Sequence, residues 1–68
     1  MKVSFTEAKV DYTVIDTSID RRGVVHSLVG PRSGGVTRPH RIRVQWSNGA
    51  YEDFEWEFPK NIEVHSFI

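Results

Sequence analysis

Sixty-eight residues, 38% of them hydrophobic and including two Trp, two Tyr and four Phe, fit one small domain close to the size at which a single core just suffices. Formal net charge is zero and there is no cysteine, which excludes disulfides, thiolate zinc sites and a cysteine nucleophile. No apolar run approaches the ~20 residues of a membrane helix, the start MKVSFTEAKV has no signal-type apolar stretch, and His26, His40 and His65 lack any short ligand spacing; an intracellular, cytoplasmic chain without metal or cofactor is the expectation.

The predicted elements begin with a strand over about Ala8–Ile15, placing Val10, Tyr12 and Val14 on one face, with β-branched Thr13, Val14 and Ile15 favouring strand over helix. Ahead of it, Ser4 or Thr6 could cap a short helical turn, since Glu7 follows Ser4 by three. Asp16–Gly23 is turn chemistry. Gly23–Val29 reads as a second strand with Val24, His26 and Leu28 on one face and Val25, Ser27 and Val29 on the other, and nothing in the pattern chooses the buried one. Residues 30–40, rich in Gly and Pro and carrying Arg32 and Arg38, are expected to form a long flexible loop. No Gly-Lys-Ser/Thr follows these glycines, so nucleotide hydrolysis has no support.

The strongest signal is His40–Phe58. Ile42, Val44 and Trp46 alternate with Arg41, Arg43 and Gln45, and Asn48-Gly49 marks a hairpin turn. The second arm alternates Phe54, Trp56 and Phe58 against Asp53, Glu55 and Glu57. A two-residue turn would set Val44 against Asp53 and Arg43 against Phe54. One extra residue in 51–54, a β-bulge, restores Val44 opposite Phe54, Ile42 opposite Trp56, Arg43 opposite Glu55 and Arg41 opposite Glu57. Pro59-Lys60-Asn61 is a tight turn before a last strand with Ile62 and Val64 on one face. About five short antiparallel strands with no long helix predict an all-β fold, a small barrel at this length, formed by residues 1–68 as a single domain.

Several short stretches carry a family likeness: Arg22-Gly23-Val24-Val25, Val44-Gln45-Trp46-Ser47-Asn48-Gly49, Pro59-Lys60-Asn61-Ile62-Glu63-Val64 and Ala8-Lys9-Val10-Asp11-Tyr12. Together they resemble the SH3-like small-barrel group, which includes Tudor, KOW and SH3-type domains. The resemblance implies an SH3-like barrel and a non-enzymatic binding role. Ile62 stands where SH3 domains use a tyrosine to bind proline-rich peptide, which argues against that ligand.

Charge is segregated along the chain. Residues 1–20 carry Lys2 and Lys9 against Glu7, Asp11, Asp16 and Asp20; residues 21–51 carry six arginines and no acid; residues 52–68 carry five acids against Lys60. The leading expectation is association with nucleic acid through Arg21, Arg22, Arg32, Arg38 and Arg41, because each neutralised phosphate releases counterions. The alternative is a protein–protein interaction module, an accessory or inhibitory subunit, using Tyr51, Glu52, Asp53, Glu55 and Glu57 or a sheet edge. A Tudor-like aromatic cage of Trp46, Tyr51, Phe54 and Trp56 is a third reading. Catalysis has no candidate, since no triad or carboxylate pair is spaced for it.

Overall fold

The computed structural model describes residues 1–30, 32–33, 36–37 and 40–66, the pairs 32–33 and 36–37 by their backbone. The chain is all-β. Strands β1 (Lys2–Val3), β2 (Thr13–Asp16), β3 (Arg21–Val29), β6 (Arg41–Trp46), β7 (Tyr51–Glu55) and β8 (Ile62–His65) form one antiparallel sheet in the order β1-β8-β2-β3-β6-β7. Strands β4 (Arg32–Ser33) and β5 (Val36–Thr37) pair with each other. The main sheet thus has six strands rather than five, and part of the expected 30–40 loop is a short ribbon. The rest of that expectation lies outside the described residues.

One face of the sheet supplies the core. Phe5, Ala8, Val14, Val25, Ile42, Val44, Trp46, Phe54, Ile62 and Val64 are buried, and Val3, Tyr12, Leu28 and Phe58 pack against them. The sheet curls over this face. Phe58 lies 4.9 Å from Phe5, just after β1, and 5.6 Å from Phe54 on β7, so an aromatic seam joins the two edge regions. The opening turn is a 3₁₀ helix, Phe5–Glu7, whose Glu7 carboxylate accepts hydrogen bonds from the Ser4 N–H (3.0 Å) and Oγ (2.8 Å). It buries Phe5 and delays the first long strand to Thr13. The expected strand from Ala8 is therefore too early, and Val10 is exposed.

Strand β3 changes faces midway. Its pairing with β6 shifts between Val25 and Ser27, leaving His26 as the extra residue of a β-bulge. Before the bulge Val25 faces the core opposite Val44; after it Leu28 does so opposite Ile42. This resolves the two-face ambiguity of the sequence, since each face is buried over part of the strand. Upstream, Gly23 pairs with Trp46, and the chains approach so closely that a Cβ there would meet the Gln45 carbonyl oxygen at 2.4 Å.

The β6–β7 hairpin needs one parity correction, but the structure makes it in the turn, not on the second arm. Trp46 N–H donates to the Ala50 oxygen (2.8 Å) and Gly49 N–H to the Trp46 oxygen (2.8 Å). Ser47-Asn48-Gly49 is thus a three-residue loop, with Gly49 at φ 89°, where a residue with a Cβ is strained. Arg43 pairs with Asp53 and Arg41 with Glu55, instead of with Glu55 and Glu57, and no bulge occurs in Tyr51–Glu55. Phe54 faces Ile42 as a core residue, while Val44 faces Glu52. A carboxylate opposite a core valine is tolerated because β7 is an edge strand, from which Glu52 reaches solvent and other partners.

Candidate functional site

Two polar arrangements flank the hairpin, one closing the core and one lining the open side of β7. The first is built around Arg21. Asp16 and Arg21 are cross-strand partners on the core face, at the end of the β2–β3 ribbon. Asp16 is buried; its Oδ1 accepts from Ser18 N–H (3.0 Å), Ser18 Oγ (2.6 Å) and Asn61 Nδ2 (3.0 Å), and its Oδ2 from Arg21 (3.1 Å). The Ser18 hydroxyl, then the Asn61 amide, hold the Asp16 pKa down at about 2 despite burial. Arg21 also donates to Glu52 Oε1 (3.0 Å), which accepts from Trp46 Nε1 (3.1 Å), and its guanidinium lies 3.7 Å from the Trp46 ring centre. This knot ties β2, β3, β6, β7 and the turn before β8 together. Both ion pairs of Arg21 run through one terminal nitrogen, its guanidinium lies over the indole, and its buried Nε has no hydrogen-bond partner.

The second arrangement lies on the outer face. Two rows run outward to the edge: Ser27–Arg43–Asp53 and Val29–Arg41–Glu55. Arg43 grips Asp53 with both oxygens engaged (2.8 and 3.2 Å), which holds the Asp53 carboxyl below the usual range and raises the Arg43 pKa. Arg41 places Nε (3.1 Å) and its terminal nitrogen (2.8 Å) on the single oxygen Oε1 of Glu55. A third row, Thr13–Val24–Gln45–Tyr51, ends in an exposed tyrosine whose ring meets His26 edge-on at 5.1 Å. A shallow groove of about 520 Å³ opens beside this row, between Arg22–Val24 and Gln45–Ser47.

Among the described residues, no strand pairs with the far side of β7. Trp46 bonds to Ala50 and His40 to Trp56 across the hairpin, so the hydrogen-bonded pairs between them are Val44–Glu52 and Ile42–Phe54. Tyr51, Asp53 and Glu55 consequently turn their backbone N–H groups away from β6, toward the open side. The edge stops at Trp56, where Glu57 N–H donates back to the Glu55 oxygen (2.8 Å) around Trp56 at φ 67°. This is a γ-turn of the rare positive-φ kind, a strained conformation for a large side chain.

That turn overturns the expected core position of Trp56. The indole is 73% exposed and lies 5.4 Å from the His40 ring, while Phe58 fills the core place behind it. Trp46 and Phe54 are buried, Tyr51 packs beside His26, and Trp56 beside His40. The four aromatic rings therefore do not converge on one cage.

Of the five arginines expected to meet nucleic acid, Arg21 and Arg41 are held by carboxylates and Arg22 is exposed. Arg38 and the side chain of Arg32 lie outside the described residues. Of the acidic set, Tyr51, Glu52, Asp53 and Glu55 are together on β7, and Glu57 follows the γ-turn. His40, and the place of Trp56 beside it at the end of the edge, escaped sequence reasoning, because nothing in the alternation through Phe58 signals the reversal.

No described group of three or more His, Asp or Glu side chains is arranged to hold a metal ion, and no described helix is long and apolar enough to cross a membrane. No protein-family model, curated protein or solved structure matches the chain.

Proposed function

We propose that this chain is a small SH3-like binding module, without catalytic activity, that takes a protein partner along the open edge of β7. The observation that carries the reading is Trp56. A tryptophan held in a positive-φ turn and 73% exposed is unfavourable twice over, in backbone strain and in apolar surface left in water. It stands at one end of a strand edge that no described strand pairs with, and exposed Tyr51 stands at the other. Large aromatics that bury on contact supply the dominant energy of many interfaces, and an edge strand adds a ladder of backbone hydrogen bonds. The nucleic-acid reading has less support, since Arg21 and Arg41 have carboxylate partners and the acids of β7 lie beside them.

The test is affinity capture from nuclease-treated extract with wild type, Trp56→Ala and Asp53→Pro. Proline at 53 removes an outward N–H while sparing the β6 ladder. A partner held by wild type and lost with both variants is the expected result; a partner retained by both rejects the edge. Binding of labelled RNA or DNA at low salt that Arg22→Glu abolishes and Trp56→Ala leaves intact would replace this reading with the nucleic-acid one.

A further inference from the structure

The same edge carries enough chemistry to name the kind of strand it accepts, an inference that rests on the strand-addition reading above. Both charged rows have the same polarity: the arginine sits one strand in, on β6, and the carboxylate sits on the edge. Neither carboxylate is saturated. Asp53 accepts two bonds from Arg43, and both bonds from Arg41 to Glu55 fall on Oε1. An ionised carboxylate can accept about four. Glu57, just past the end of the edge, adds negative charge, while Glu52 on the opposite face is held by Arg21 and Trp46.

A strand laid against β7 would extend the rows, placing alternate side chains beside Tyr51, Asp53 and Glu55 on the outer face. We infer that the partner is an extended segment with two basic residues spaced by two and an aromatic or β-branched residue two further on. The basic pair completes each row as positive–negative–positive, and the third residue covers Tyr51. Running antiparallel to β7, the pattern is Lys-x-Lys-x-Tyr. The charge order also disfavours a second copy of this chain in the same place. Two β7 edges paired antiparallel about residue 53 bring Asp53 against Asp53 and Glu55 against Tyr51, with like charges in the central row. The γ-turn at Trp56 limits the added strand to the length of β7, with the indole at its end.

The probes are two capped nonapeptides containing Lys-Thr-Lys-Thr-Tyr or Glu-Thr-Glu-Thr-Tyr, titrated to millimolar concentration into ¹⁵N-labelled protein. The expected result is amide shifts at Tyr51, Asp53 and Glu55, with the lysine peptide binding about tenfold more tightly and the ratio shrinking as salt is raised. A charge-exchanged protein (Arg41→Glu, Arg43→Asp, Asp53→Arg, Glu55→Arg) places opposite charges in the same rows, has its fold checked by circular dichroism, and is expected to reverse the preference. Equal affinity for both peptides at these amides, or a preference unmoved by the exchange, overturns the basic-strand assignment while leaving strand addition standing. Absence of shifts at β7 with either peptide rejects strand addition itself.

Discussion

Gly23→Ala probes the closest approach between β3 and β6. A Cβ at residue 23 would lie 2.4 Å from the Gln45 carbonyl oxygen and 3.0 Å from both Cα and Cε3 of Trp46. The oxygen has to retreat to at least 3.0 Å, and being backbone in the middle of a sheet it cannot swing aside as a side chain would. Overpacking costs about 1–3 kcal/mol, with the upper end expected where backbone must move. A domain of this length holds on the order of 3–10 kcal/mol in total. At roughly 4–8 °C per kcal/mol, a loss of about 3 kcal/mol lowers Tm by some 12–24 °C. The sign is as informative as the size, because glycine to alanine in an unstrained strand usually stabilises by about 0.5–1 kcal/mol. Urea unfolding and thermal circular dichroism measure both. A variant as stable as wild type, or more so, would mean that β3 and β6 do not approach this closely.

Acid unfolding reports on Asp16. Its folded pKa of about 2 lies below the usual ~3.9, so its contribution is complete above about pH 4 and is lost as pH falls toward 2. Asp16→Asn is expected to be less stable at neutral pH and to show a shallower decline of the urea midpoint in that window; a wild-type slope would refute the role. The two tryptophans separate by fluorescence, since Trp46 is 2% exposed and Trp56 73%. Trp56→Phe leaves a blue-shifted emission that acrylamide quenches several-fold less than in wild type, whereas red, readily quenched emission would show that Trp46 is not buried.

Most of the hairpin was legible because its signals are local. Alternation marked Ile42, Val44 and Trp46 as the inner face, and charge complementarity required one unit of parity change between the arms. Where that unit sits is decided by turn geometry: a three-residue loop and a bulge restore the same faces, yet pair Arg43 with different acids. The last strand was equally plain from Ile62 and Val64 after Pro59-Lys60-Asn61. Trp56 was not legible. Its exposure comes from a γ-turn with no composition cue, and Phe58 satisfies the apolar pattern in its stead. Nor was the fate of the arginines, since the six form one basic block in sequence and only tertiary packing brings Arg21 between Asp16 and Glu52. The likeness to SH3-type domains bears on the same residues, but it concerns short motifs, and fold alone does not assign function.

The bulge at His26 has a consequence for how this domain tolerates change in length. Because β3 swaps sides there, its two halves are out of phase by one residue, and each half is in phase with its own stretch of β6. Deleting His26 removes only the extra residue: Val25, Ser27 and Leu28 would follow one another opposite Val44, Arg43 and Ile42, with Ser27 still outward and Leu28 still inward. The position of β3 at which a one-residue deletion disturbs the pairing least is thus an exposed histidine that contributes nothing to the core.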